Sequence, residues 1–424
     1  MFFEIVTSTL MGSLAVKAHL AKNQVSNDSK KLNKIFALSG LNVKDGSQTL
    51  TTQLLKKKDY TWGSEYRYRI PLGRSFEDYV AKQKTIEAGI NSRTVTIQLK
   101  DLRDLQLDRN IIQNIRSLYT KKLTHKKEID LSYDGVLKVR VYNEPLTNQF
   151  KYDSSLVKLC REWQVPVGIS RHGIVKYDFE KKAHIIVAGT TDFGKSNWVN
   201  CTINTLIMNK PENVSFTLID LKGGLEFNRY RRLKQVKTYA TSPEETKEAL
   251  KCAVEKMDEV TNYLLKNEYS NVKEAGLKDR HFIIIDEAAD IADDKECQRL
   301  LKDIARKGRA AGLRLIYTTQ YPTTETISSQ VKRNCIGRLC FVLDTGTASK
   351  VVLDQTGAEN LPEIQGRALY KDLRLIELQT PLITPEIIKE TVKPHCIEEE
   401  NIIEPVINRE RRENIAVFEE TGLS

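Results

Sequence analysis

What is scarce in this sequence narrows it first. Seven cysteines, at 160, 201, 252, 297, 335, 340 and 396, are scattered singly through 424 residues. With no C-x-x-C pair and no metal-ligand spacing, neither a disulfide framework nor a zinc site is indicated, and the reducing cytosol is the natural compartment. Long apolar runs are missing too. The opening "MFFEIVTSTLMGSLAVKAHLA" is broken by Glu4 and Lys17, leaving 12 uncharged residues. That is short of the ~20 needed to cross a bilayer, and the basic flank of a signal peptide is lacking. Phe2, Phe3, Val6, Leu10 and Leu14 instead fall near one face of an amphipathic helix over 1–25. Packing against another element or subunit is the first reading of that helix, and contact with a membrane the second. Repeats and low-complexity tracts are absent. What remains is 40% hydrophobic and 29% charged, the composition of a soluble globular chain with room for two or three domains.

The charge is unevenly placed. Residues 1–180 hold 30 Lys and Arg against 19 Asp and Glu, a balance of +11, whereas residues 181–424 hold 36 against 37, a balance of −1. A basic first half joined to a neutral second half suggests a polyanion partner, nucleic acid or an anionic membrane, handled by the first half.

Local patterns divide the chain in the same way. Within 26–150, "EYRYRIPLG" alternates like a strand, and "SFEDYVAKQKTIEAGI" has helical spacing behind Ser75 as a cap. "EIDLSYDGVLKVRVY" reads as a hairpin turning at Asp134 and Gly135. These elements make a small α+β domain, with "NEPLTNQFKYDSS" as its connection to the second half of the chain. From about 181 the continuous apolar runs "AHIIVA", "VSFTLID", "HFIIID" and "LRLIYTT" read as strands covered on both faces. Between them lie amphipathic segments such as the one capped by Ser242 with Glu245 three residues on. This alternation predicts a three-layer α/β domain with a mostly parallel sheet.

Gly189-Thr190-Thr191-Asp192-Phe193-Gly194-Lys195-Ser196 fits G-x-x-x-x-G-K-[ST] without a mismatch, follows a buried strand and opens a helix. Backbone N–H groups of such a loop cradle phosphates, with Asn197 in the first helical turn beside it. Lys195 neutralises β- and γ-phosphate charge, and Ser196 binds Mg²⁺. The pattern calls for ATP and Mg²⁺ as ligands. Asp192 and Phe193 occupy positions that contribute mainly backbone, so their side chains should project outward from the cradle, Asp192 toward solvent or a neighbouring subunit. The second half of such a site is an acid at the end of another buried strand. "HFIIIDEAAD" supplies Asp286 for the metal and Glu287 as general base.

Residues 303–322, "DIARKGRAAGLRLIYTTQYP", resemble the FtsK/SpoIIIE family of DNA-translocating ATPases. So do "LDQTGAENL" (353–361), "LIDLKGGLEF" (218–227) and the H-x-x-V-A-G-T-T lead-in to the phosphate loop. The resemblance implies a RecA-like P-loop NTPase motor domain over 151–385, followed by a tail from 386 to 424. It implies Arg309 as an arginine finger reaching a neighbouring subunit's ATP, with Arg306 second, and Gln320 as a γ-phosphate sensor or water-positioning residue. It also implies a homo-hexameric ring around double-stranded DNA. Lys222 and Glu226 of the Gly223-Gly224 turn receive no catalytic role. With no clear membrane span and too short a tail for a winged-helix reader, the chain looks more like the FtsK-type proteins of plasmids, conjugative elements and phages. Relaxase or replication proteins would then be partners. A type VII-like protein secretion ATPase is the alternative enzyme, and a replication or partition protein that uses ATP to assemble on DNA is the alternative without a motor.

Overall fold

The computed structural model describes residues 28–91 and 127–397. The helix expected over 1–25 lies outside the described residues, as does the tail from 398. The chain divides into two compact units between Leu146 and Thr147.

In the first unit, α1 (Asp28–Leu38) and the small hairpin of β1 (Val43–Asp45) and β2 (Gln48–Leu50) precede a four-stranded antiparallel sheet of order β3-β4-β6-β5. Its strands are β3 (Gln53–Tyr60), β4 (Gly63–Arg69), β5 (Glu128–Tyr133) and β6 (Leu137–Tyr142). The two-residue period decides its faces. Tyr66, Tyr68, Leu137, Val139 and Val141 are buried, whereas Arg67, Lys138 and Arg140 are not. The hairpin turns at Asp134 and Gly135, as the sequence predicts. The helix expected after Ser75 is instead two, α2 (Phe76–Ala81) and α3 (Gln83–Asn91), broken at Lys82. They pack Tyr79 and Ile86 beside Leu32 and Phe36 of α1, with the Phe36 ring edge-on to Tyr68 and Tyr79 at 5.2 and 5.5 Å. Helix α1 is not among the elements expected from the sequence; its apolar residues Leu32, Ile35 and Phe36 at i, i+3 and i+4 are the signal.

The second unit carries α4 (Ser154–Leu159), then β7 (Gln164–Ser170), β8 (Gly173–Asp178) and β9 (His184–Ala188), followed by α5 (Lys195–Asn209), β10 (Val214–Ile219) and β11 (Val236–Ala240). Next come α6 (Pro243–Lys266), β12 (Arg280–Ile285), α7 (Lys295–Lys307), β13 (Leu313–Thr319), α8 (Ser329–Asn334), β14 (Gly337–Cys340) and α9 (Gly346–Leu353). The unit finishes with β15 (Arg367–Lys371), β16 (Leu375–Gln379) and α10 (Pro385–Val392). Its sheet has the order β11-β10-β12-β13-β9-β14-β15-β16-β7-β8, parallel from β11 to β14 and antiparallel beyond. Alternate strand residues feed two separate cores. Ile185, Val187, Phe282 and Ile284 pack with Trp198, Leu206 and Ile207 of α5 on one face. Ile186, Ile283, Ile285 and Leu315 pack with Leu250 and Met257 of α6 and Leu300 and Ile304 of α7 on the other. This is the expected three-layer α/β architecture. The expected tail from 386 is corrected in its first part: α10 buries Ile388 and Val392 in the first of these cores, so its apolar face belongs to the domain.

Two histidines inside this sheet set its response to acid. His184 Nδ1 accepts the Leu315 N–H at 3.0 Å, and His281 sits between Ser215 Oγ at 2.8 Å and Thr217 Oγ1 at 2.9 Å. Burial pushes both imidazoles down from 6.5 to about 3. A depressed folded pKa means that the unfolded chain binds protons that the folded chain refuses. Their stabilisation is therefore complete above 6.5 and is lost as pH falls from 6.5 toward 3, by as much as ~1.4 kcal/mol per pH unit for each ring. The expected result is a urea midpoint that drops steadily between pH 7 and pH 5. A flat midpoint over that interval would contradict the buried, neutral placement of both rings.

Candidate functional site

The strand ends of a parallel sheet gather their following loops on one edge. Here β9, β10, β12 and β13 all run the same way, and the loops after them meet above α5. The loop after β9 turns through Asp192 at φ 66° and Gly194 at φ 110° before α5 begins at Lys195. A Cβ on Gly194 would come within 3.2 Å of the Gly366 backbone, so this close approach needs glycine. The Asp192 side chain is exposed. Phe193 corrects the expectation that both side chains project outward. It is half-buried against the core beside α5, and its carbonyl accepts the Gly366 N–H at 2.9 Å. The reason is simple: an aromatic ring beside an apolar core gains more by burial than by hydration.

Lys195 is buried, and its Nζ donates to the Asp286 carbonyl at 3.0 Å. The same Nζ lies 3.7 Å from Asp286 Oδ1 and 3.8 Å from Glu287 Oε2. Burial lowers the lysine pKa and raises that of Asp286, each effect opposed by the partner's charge. Glu287 is held from several sides. It accepts Thr319 Oγ1–H at 2.8 Å and the Gln320 N–H at 3.1 and 3.0 Å on its two oxygens, and Ala289 N–H approaches at 3.4 Å. Gln320 then reaches back to the loop, where Thr191 Oγ1–H donates to its Oε1 at 3.1 Å. Thr190 is fixed through its N–H and hydroxyl to the Val342 carbonyl, both at 3.0 Å. The structure thus brings Thr191, Lys195, Ser196, Asp286, Glu287 and Gln320 together at one edge of the sheet.

Asn197 stands apart from the other cradle residues. Its amide donates to the Pro381 carbonyl at 2.5 Å and accepts the Ile383 N–H at 3.1 Å, so both ends tie α5 to the segment after β16. Arg306 and Arg309 are not at this edge. They lie at the end of α7 and just before β13, exposed at the opposite rim of the sheet, where Arg306 pairs with Asp303 at 2.9 Å. Arg309 shares a second cleft there with Lys307, Arg314 and Glu180.

Lys222 and Glu226, which sequence alone leaves without a catalytic role, line the cleft over the cradle, and Lys222 Nζ lies 3.8 Å from Glu287 Oε2. Their signal was positional: "DLKGG" follows β10, the parallel neighbour of β12, so its loop shares the β12 edge. The cleft encloses about 720 Å³ and is also walled by residues 148–150, 364–366 and 379–382. Ser196 and Asp286 fit a magnesium ion chemically, since both offer hard oxygen donors toward this cleft. Among the described residues no cluster of three or more His, Cys, Asp and Glu suggests any other metal site. No described helix is long and apolar enough to cross a membrane.

The chain is similar to known proteins in sequence and in fold. The chain is 32% identical over 240 residues to the DNA translocase FtsK of Leptospira interrogans, covering 52% of this chain and 25% of that protein. It is 28% identical over 264 residues to the DNA translocase FtsK of Streptococcus pneumoniae, covering 57% and 34%. The chain therefore spans only a quarter to a third of these relatives' length. Among solved structures, the monomer form of the pCW3 conjugation coupling protein TcpA with ATPγS matches 87% of this chain and 99% of its own, with TM-score 0.56 and 20% identity. The cytoplasmic domain of the Thermomonospora curvata type VII secretion ATPase EccC matches 56% of this chain and 31% of its own, with TM-score 0.50 and 20% identity. These structural likenesses concern the fold. The sequence model of the FtsK/SpoIIIE family matches residues 147–281, from the start of the second unit through the phosphate loop to the first residues of β12. With that match joined to the translocase relatives, this part of the chain is similar to the FtsK/SpoIIIE family.

Proposed function

We propose that this chain is an ATP-driven double-stranded DNA translocase, working as a ring in the transfer, segregation or replication of a mobile element. The observation that carries the proposal is the convergence of Lys195, Asp286, Glu287 and Gln320 on a complete phosphate loop. Similarity to the FtsK/SpoIIIE family and to relatives named as DNA translocases supplies the choice of DNA as cargo. The likeness to a conjugation coupling protein supports the mobile-element setting, and the basic first half suits a polyanion.

The chemistry follows from the residues. Loop N–H groups and Lys195 hold the β- and γ-phosphates, and Ser196 and Asp286 would hold Mg²⁺, which adds positive charge against the phosphate oxygens. Glu287 takes a proton from the attacking water as its oxygen bonds to the γ-phosphorus, and the bond to the bridging oxygen breaks to leave ADP and phosphate. Gln320 is fixed between Glu287 and Thr191, where it can orient that water.

The placement of two arginines supports the ring. Arg309 and Arg306 lie at the rim opposite the cradle, so either can act as a finger only on the ATP of another copy, and a head-to-tail contact that repeats closes into a ring. Mixing Arg309→Ala with wild-type subunits should depress ATP turnover well below the wild-type fraction, since each mutant subunit silences its neighbour's site. A loss strictly proportional to the mutant fraction would sink the finger in trans.

The proposal as a whole is tested by ATP hydrolysis with and without long duplex DNA, alongside ATP-dependent displacement of a triplex-forming strand. Stimulation with displacement is expected. Stimulation without displacement would identify an assembly switch, and indifference to DNA would favour protein export, for which the likeness to EccC is the relevant fold match.

A further inference from the structure

The four-stranded sheet of the first unit has a second face that its core does not use. Side chains alternate along a strand, so with Tyr66, Tyr68, Leu137, Val139 and Val141 turned to the helices, their neighbours point the other way. Strand register lines these neighbours up in rows. Lys56 stands opposite Arg67, and Arg67 opposite Lys138; two residues along, Lys58 stands opposite Glu65, and Glu65 opposite Arg140. The end of the face is aromatic. Trp62 stacks on Tyr60 at 4.8 Å and tilts against Tyr142 at 5.0 Å, while Lys58 Nζ lies 4.9 Å from the centre of the Tyr60 ring.

A row of three cations is unfavourable by itself, because like charges directly opposite repel. Shielding a sheet edge would account for the lysines of β3, which is an edge strand. It does not account for Arg67 and Lys138, which stand on the two inner strands. Carboxylates compensate only part of the charge. Glu65, 6% exposed, accepts the Nε–H of Arg67 at 3.0 Å and that of Arg140 at 3.2 Å, Arg140 also meets Asp130, and Lys138 meets Asp134. The exposed ammonium groups of Lys56 and Lys58 and the two terminal nitrogens of Arg67 have no carboxylate partner among the described residues.

We propose that this face binds the phosphate backbone of double-stranded DNA, with Lys56, Lys58 and Arg67 on the phosphates. The proposal rests on the reading of the chain as a DNA translocase and adds the surface in the first unit that holds the duplex. A guanidinium fixed through Nε keeps both terminal nitrogens for phosphate oxygens, and the lysines add point charge beside it. Duplex is favoured over unstacked strand because the rings of Tyr60, Trp62 and Tyr142 already pack on one another, and a base would have to displace them. A membrane surface is disfavoured because neither row holds an apolar side chain to bury in lipid.

The test is duplex binding by the full chain, followed as fluorescence anisotropy of a labelled fragment over a series of salt concentrations. Lys56→Gln/Lys58→Gln should bind about tenfold more weakly at low salt, and its plot of log affinity against log salt should flatten by about 2, one for each lost phosphate contact. Lys82→Gln/Lys84→Gln removes the same charge from exposed positions on the helical side and should bind as wild type does. Urea midpoints near wild type for both variants report that the unit is folded. Equal losses in the two variants would show a response to net charge alone and overturn the face. Duplex affinity unchanged in Lys56→Gln/Lys58→Gln also overturns it while the DNA reading stands, and loss of binding to phosphatidylserine vesicles in that variant would then assign the face to a membrane. Wild type that binds no duplex at any salt overturns the face and the DNA reading together.

Discussion

Lys195→Ala is expected to lose ATP binding and to lower turnover by about 10³-fold or more, because the charge on the transferring phosphoryl group is left without its buried cation. The same change should weaken the nucleotide-free protein. Lys195 Nζ sits within 4 Å of both Asp286 and Glu287, and all three side chains are buried. Removing one partner from such a cluster costs about 3–5 kcal/mol, since the remaining charge stays out of water. Asp286 gives the pH dependence. Burial already holds its carboxyl above the usual carboxylate range, and loss of the lysine raises it further. A raised folded pKa contributes stability that is present at low pH and lost as pH rises through it. The destabilisation of Lys195→Ala, measured as a urea midpoint against wild type, should therefore be larger at pH 8 than at pH 5.5. Equal deficits at both values would show that the lysine does not compensate these carboxylates.

Glu287→Gln should separate binding from chemistry. The amide cannot take the water's proton, so turnover should fall by about 10²–10⁴-fold while ATP affinity stays near wild type. Structure favours a folded variant. The Thr319 hydroxyl and one of the two Gln320 N–H contacts need only a carbonyl oxygen at the Oε1 position, which glutamine supplies. The amide NH₂ would then lie toward Lys195 and Lys222, whose charges approach Oε2, and toward the Gln320 N–H that Oε2 accepts in wild type, and this predicts a modest loss of stability of about 1–2 kcal/mol. Single-turnover hydrolysis beside equilibrium ATP binding reads both effects. Retained turnover would remove Glu287 from the role of base.

The parts of the fold legible in the sequence were those with strong local signals. β9, β10, β12 and β13 are apolar on both faces, and Ser242 caps α6 by accepting the Glu245 N–H at 3.2 Å. The antiparallel half of the sheet was hidden. β7 carries Pro166 and Gly168, which read as loop, yet Gly168 is needed because a Cβ there would come within 2.4 Å of the Gln379 carbonyl oxygen. β14 has four residues, and β16 is only half-buried over most of its length. In the site, Gly189–Ser196 and the Asp286–Glu287 pair carried spacing and chemistry together. Lys222 and the wall formed by Phe150, Thr380 and Leu382 carried neither; strand order and backbone pairing across more than two hundred residues bring them in. Arg309 could be singled out only through the family resemblance, because nothing local distinguishes it from Arg306.

The tie between Phe193 and Gly366 has a kinetic consequence. Anchored by its carbonyl and by its ring, the crest of the phosphate loop is already shaped before nucleotide arrives, so little ordering entropy opposes capture. The same anchoring opposes discharge of ADP by melting of the loop that holds it. Departure would then fall to the rest of the cleft boundary. In the proposed ring that boundary would include the adjacent copy, so the dwell time of spent nucleotide at one position would be set by the step taken at the next.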